Sequence, residues 1–319
     1  MAVTVVEAAR LMWCPGLAQL KGQPQGGLHN WLATGTYAPG VSGSSLLLAG
    51  FNKQNFLGSL ASDVNRLASA ASETLRNIAE VKDIPKSLAW PYVKLYYASL
   101  FYAHAVLRIW GRSPSYFRTD ELMPLRSVLG AYGITTFPFK LTTGQFLLHA
   151  DMGASTVTVT HDSGGSGAHE TAWKEFVQAL RDLHQKVKGA AYLTEDRKAV
   201  EGQLTAFVAL ITKNGSHLSW PSHMRNDIQY RQTEGVWYPY QGKSKTSSLQ
   251  QEVEALVSGQ GEMHKLVSLA GNDLAQFRSA CCAIICFARG IIDDMSDIAG
   301  PKSFLRHGQR KFEDAAKAT

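Results

Sequence analysis

The chain has 319 residues, of which 45% are hydrophobic and 18% charged; this is enough apolar material for one large core or two moderate ones, and it excludes a disordered polypeptide. A formal net charge of +6 suits an anionic partner such as nucleic acid, although charge of this kind speaks to association and not to fold or activity. No run of about 18 apolar residues occurs, so no membrane-spanning segment is expected.

The opening stretch MAVTVVEAARLMWCPGLAQL lacks the basic start and continuous apolar run of a signal peptide, and a cytoplasmic protein with no membrane partner is expected. One short helix is expected near Val5–Trp13. Gly and Pro then recur in CPGLAQLKGQPQGG and YAPGVSGSS, segments that punctuate and do not build elements. From Phe56 onward, Leu57, Leu60, Val64, Leu67, Ala71, Leu75 and Ile78 return at spacings of three and four, the period of one apolar helical face. A long amphipathic helix ending near KDIPK is expected.

The next segment, WPYVKLYYASLFYAHAVLRIWG, has Pro91 in its first turn, Gly111 at its far end and apolar or aromatic residues almost all round. It is expected to be the central buried helix. Ala98, Ser99, Ala103 and Ala105 let neighbours approach, while Tyr92, Tyr96, Tyr97, Phe101 and Tyr102 supply volume. The same rings, with His104, could instead line a ligand cleft, and both roles stay open. A shorter helix is expected at about Glu121–Leu129.

The pattern then changes to ITTFPFKL, GQFLLHA and STVTVTHD, where Thr and Val alternate between turn residues. This predicts a small β insertion at about 134–162. His149, Asp151, His161 and Asp162 fall at its strand ends and are read as ordinary loop residues, because no ligand-bearing helix or second paired motif accompanies them. No metal and no cofactor is expected.

A DSGGSGAHE connector leads into TAWKEFVQALRDLHQKV, where the helical period returns. Helices are expected over AVEGQLTAFVALITK, SHMRNDIQYR, SLQQEVEALVSG and the long MHKLVSLAGNDLAQFRSACCAIICFARGIIDDM. In the last, Leu266, Leu269, Leu274, Phe277, Cys281, Ile284, Ile285 and Ala288 hold one face. Cys281, Cys282 and Cys286 belong to that packing surface and, with Cys14, form no CxxC pair, so buried reduced thiols are expected. The terminal RHGQRK run is read as a solvated helix. The expected architecture is mainly α, a multi-helix bundle with a small β-hairpin or strand insertion, divided into an N-terminal helical region over 1–85 and a helical domain over 86–319.

Several motifs lead nowhere. QGKSK resembles the end of a phosphate-binding loop, but Trp237 stands where the earlier Gly is required, and no GxSxG, HExxH or dinucleotide fingerprint occurs. The run RNDIQY is more informative. Asn226 and Tyr230 are four apart and share a helical face, with Arg225 and Arg231 adjacent to them. Such a polar face, followed by GVWYPY with Trp237 and Tyr238, can hold an anion bearing a planar base, guanidinium on phosphate and rings on bases. An ordinary solvated face with a tyrosine anchoring a loop fits the same residues.

The Tyr/Ala-rich helix YVKLYYASLFYAHAVLRIWG followed by a later helix opening RNDIQY resembles the HEPN superfamily, all-helical domains of prokaryotic toxins, phage-defence proteins and CRISPR-linked ribonucleases. The resemblance covers two helices. It implies an Arg, a polar residue directly after it and a His at the fifth position beyond the Arg, brought together from two protomers to cut RNA without metal. In that scheme the His moves protons as the ribose 2′-OH attacks phosphorus, and the Arg stabilises the extra charge. Arg225 and Asn226 match, and Tyr230 stands in the His position. A phenol with pKa of about 10 is a poor general base at neutral pH but a competent hydrogen-bond donor. His217 and His223 lie just upstream, although His223, two residues from Arg225, points away from it on a continuous helix.

Two expectations follow. One is a metal-independent endoribonuclease with Arg225, Asn226 and Tyr230 as catalytic residues, and Arg231, Trp237, Tyr238, Tyr97 and His223 binding the nucleic acid, assembled as a homodimer. The other is a non-catalytic helical module of the same type that binds nucleic acid, a nucleotide or a partner protein.

Overall fold

The computed structural model describes residues 4–24, 26–79, 87–164, 167–191, 196–237, 246–259, 267 and 271–318. The chain is mainly α with a five-stranded antiparallel sheet. It divides into two compact units, one built from 1–11, 67–103 and 173–294, the other from 12–66, 104–172 and 295–319.

The second unit carries the sheet. Its strands are β1 (Ala38–Ser42), β2 (Ser45–Ala49), β3 (Arg112–Phe117), β4 (Gly144–Asp151) and β5 (Thr156–His161), in the order β1-β2-β5-β4-β3. Register explains the core face: Leu46 lies opposite Val159 and Leu48 opposite Val157, while Val159 also faces Leu148 on β4. All five of these side chains are buried, as alternation with period two requires of a half-buried sheet. The two edge strands each carry a proline, Pro39 on β1 and Pro114 on β3, which removes donors that would otherwise invite a further strand.

The sheet is therefore larger than the expected hairpin insertion. β1 and β2 form within the Gly- and Pro-rich first fifty residues, and β3 is the serine- and proline-containing RSPSYF. Neither β1 nor β3 has the alternating apolar pattern of a strand; each is paired as an edge by its neighbour. Conversely, ITTFPFKL is irregular, because Pro138 has no N–H to offer a ladder.

Around the sheet lie α2 (Leu28–Thr34), the first half of α3 (Lys53–Ala79), the last turn of α4 (Ala89–Ile109) and α5 (Met123–Ala131). Arg108 fastens α4 here. Its buried guanidinium donates to Ser115 Oγ at 3.1 Å and pairs with Asp63 Oδ2 at 3.4 Å. Gly111, at φ +72°, then turns the chain out of α4 into β3, a left-handed position that suits glycine.

The first unit is helical: α1 (Val5–Ala8), α6 (Ala168–Gly189, which begins in the other unit), α7 (Arg197–Ile211), α8 (Trp220–Asn226), α9 (Thr246–Val257) and α10 (Asp273–Ala299), with the remaining parts of α3 and α4. α11 (Gln309–Ala318) closes the chain in the second unit, and it is less solvated than expected, since Gln309 and Glu313 are buried.

α4 is buried along most of its circumference here, with Tyr92, Tyr96, Ala98, Ser99 and Tyr102 all enclosed. The tyrosine hydroxyls are satisfied: Tyr102 shares a hydrogen bond with Ser72 Oγ at 2.7 Å, and Tyr96 accepts one from Trp173 Nε1 at 3.1 Å. α10 begins at Asp273, and Met263, where the expected helix opened, lies outside the described residues. Gly271 takes φ +97° and Asn272 Oδ1 accepts from Ala275 N at 2.9 Å, so the GND segment opens the helix and does not continue one. Leu266 and Leu269 lie outside the described residues. Cys281 and Cys282 are buried and Cys286 half-buried on α10, all unbridged, and burial pushes the Cys281 thiol up to about 12. By length and composition alone α10 is the one helix among the described residues that could cross a bilayer, and most of its apolar stretch is buried.

Candidate functional site

The RNDIQY segment is helical but not uniformly so. α8 starts with Pro221 in its first turn and runs to Asn226, where Asp227–Arg231 continues as a π-helix ending on Gln232 in the left-handed region. Trp220, Pro221, Met224, Arg225 and Ile228 are buried while His223 is exposed. Arg225 thus occupies a position in the helix's own buried stripe, at 9% exposure.

A guanidinium taken out of water needs partners, and the structure supplies two kinds. Its Nη1 donates to Asn226 Oδ1 at 2.9 Å and reaches Gln229 Oε1 at 3.5 Å. Three tyrosine rings surround its central carbon, Tyr96 at 5.5 Å, Tyr97 at 5.8 Å and Tyr230 at 5.5 Å from the ring centres. Each such contact is worth about 0.5–1 kcal/mol.

The π turn makes the third contact possible. In a straight α-helix, residues five apart are rotated by about 140° and face different ways. A π turn bonds residue i to i+5, and here it carries Tyr230 round to the face of Arg225. The expected pairing of Asn226 with Tyr230 at i and i+4 is therefore replaced by one in which both serve the guanidinium.

The two α4 tyrosines differ. Tyr96 is fully buried, its hydroxyl held by Trp173 and Ser222. Burial pushes its phenol up to about 12 against the opposing pull of those hydrogen bonds and of Arg225. Tyr97 is half-buried and packs edge-on against Tyr96 at 5.4 Å and tilted against Phe101 at 6.2 Å. Tyr230 is 67% exposed. The site therefore has a buried cation, a fixed inner ring and two outer phenols in contact with solvent.

Arg225, Asn226, Tyr230 and Tyr97 are brought together. Arg231 is not part of this group: it is exposed and pairs with Asp227 at 2.9 Å. Trp237 is half-buried, donates from Nε1 to Ile228 O at 2.7 Å and meets Trp90 edge-on at 5.7 Å. His223 is exposed and stacks on the equally exposed His217, ring centres 5.7 Å apart. Tyr238 lies outside the described residues. Tyr96, one of the rings that could line a cleft, and Gln229, within the polar run, were not among the expected site residues but belong to the group. Tyr96 had a signal, standing next to Tyr97 on an aromatic helix, but nothing local shows that both neighbours flank one cation.

Among the described residues no group of three or more His, Cys, Asp and Glu side chains could hold a metal. No family model, curated protein or solved structure matches the chain.

Proposed function

We propose that the Arg225 face binds single-stranded RNA and that the protein is a cytoplasmic endoribonuclease of the HEPN type, active as a homodimer. The observation that supports this most is the guanidinium set beside two solvent-facing phenols, Tyr97 and Tyr230. A cation and planar rings are what a phosphodiester with splayed bases requires. In the cleavage step the ribose 2′-oxygen bonds to phosphorus and the P–O5′ bond breaks, its electron pair leaving on O5′, which takes up a proton. Arg225 meets the charge that builds on the phosphoryl oxygens. The Tyr230 hydroxyl positions the ribose or phosphate by hydrogen bonding. The 2′-OH proton leaves to solvent water, because His223 and His217 stack on one another apart from the Arg225 group.

Purified protein incubated with a mixed RNA pool in chelator tests the reading, with cyclic phosphate ends expected on the products. Light scattering at tens of micromolar is expected to show a dimer. Binding should weaken steeply with added salt as counterions compete for the phosphates.

One observation favours the non-catalytic alternative. Arg225 is 9% exposed, with its Nη1 engaged by Asn226 and Gln229, so little of the guanidinium faces solvent where a phosphate would approach. If neither wild type nor Tyr230→His cuts RNA as a confirmed dimer, a binding module replaces the enzyme.

A further inference from the structure

Of the seven tryptophans, Trp90 alone is exposed, at 52%. Tyr116, Tyr132 and Tyr230 are exposed to a similar degree, and a lone surface ring is ordinary; Trp90 differs in lying on the same helix as Tyr97, which touches the Arg225 guanidinium. Trp90 is also held in place. Its one edge meets Trp237 at 5.7 Å and 78°. Trp237 is anchored by its indole N–H to Ile228 O, and the adjoining Val236 O accepts from Leu88 N at 3.0 Å and from Ser87 Oγ at 3.2 Å. The start of α4 and the 236–237 segment thus hold one side of the ring pair, and Trp90 stays 52% exposed.

Along α4 the exposed and half-exposed positions Trp90, Lys94, Tyr97 and Phe101 recur at spacings of four, three and four, one stripe of the helix. The stripe sets one cation between rings, Trp90 on one side and Tyr97 and Phe101 on the other. Lys94 Nζ donates to Asn77 Oδ1 at 2.5 Å. Trp90 and Tyr97 are seven residues apart, about 10 Å along the axis. That is well beyond the 3.4 Å rise of neighbouring bases within a helical strand.

We propose that Trp90 is a base-stacking platform that extends the Arg225 site, so that the ligand is an unstacked single strand running along α4, one base on Trp90 and another at Tyr97, its phosphates passing Lys94. This rests on the RNA reading of Arg225 but on different residues. Duplex RNA, whose bases are already stacked and paired, has no free base face to offer either ring.

The test uses a short labelled 2′-O-methyl oligouridylate, which cannot be cut through its 2′-oxygen, and an abasic chain of equal length, both at low salt. Trp90→Ala should weaken oligouridylate binding by about 10-fold or more, the usual effect of losing one stacking ring. Trp90→Phe should keep most of the affinity, and the abasic chain should bind wild type and Trp90→Ala alike. Unchanged oligouridylate binding by Trp90→Ala overturns the platform, as does an equal loss for the abasic chain. If Arg225→Ala loses the oligouridylate and Trp90→Ala does not, the Arg225 site stands and the platform falls. If Trp90→Ala alone loses it, the Arg225 reading falls, and with it the platform as an extension of that site. A wild type that binds neither chain overturns both.

Discussion

Arg225→Ala should destabilise the helical unit measurably, apart from any effect on RNA. The side chain is nearly buried and loses three ring contacts and a hydrogen bond to Asn226. At about 0.5–1 kcal/mol per ring and about 1.5 kcal/mol for the charged hydrogen bond, the gross loss is about 3–4.5 kcal/mol. Returning a desolvated guanidinium to water in the wild-type unfolded chain already offsets part of this, leaving about 2–3 kcal/mol. At about 2–4 °C per kcal/mol, the melting temperature should fall by about 5–10 °C. Arg225→Lys retains the stem and the charge, but a compact ammonium cannot face three rings and an amide together, so it should lose roughly half as much. Thermal melts followed by circular dichroism measure both. An Arg225→Ala protein that melts within about 1 °C of wild type would refute the enclosure of the guanidinium by the three rings.

Tyr230→Phe, at an exposed position, should leave stability within about 0.5 kcal/mol while lowering RNA cleavage by about 100-fold, because the hydroxyl that positions the ribose or phosphate is lost. Tyr230→His should hold or raise activity near neutral pH; retention of wild-type cleavage by both Tyr230→Phe and a folded Arg225→Ala would move the site elsewhere. Tyr96→Phe strands the buried Trp173 N–H that its hydroxyl now accepts, at about 1–3 kcal/mol in urea unfolding, and an unchanged midpoint would argue against that bond. His104 is held down to about 3 by burial, and further by Arg108 and His169. An unfolded histidine titrates near 6.5, so the unfolded chain takes up a proton that the fold refuses as pH drops below that value. This stability is full above about pH 6.5 and falls by about 2 kcal/mol by pH 5. His104→Asn should flatten that slope, and equal slopes in the two proteins would refute it.

The long helices were legible because their apolar residues recur over many turns. α3 follows the run from Leu57 to Ile78, and α4 is the enclosed aromatic helix that its composition demands. The local content of the site was legible too, since Arg225, Asn226 and Tyr230 form one polar run. What the run does not reveal is that Arg225 belongs to a buried stripe, or that a π turn swings Tyr230 back to it. Nor does it show Tyr96 and Tyr97, from a helix far earlier in the chain, closing round the guanidinium. Likewise β1 and β3 acquire strand geometry from β2 and β4 beside them, and not from their own Pro- and Ser-containing sequences. Periodicity reports which face of an element avoids water, a property of neighbours in sequence. Ladder hydrogen bonds and cation–ring contacts join distant residues, and only the packed chain selects those partners.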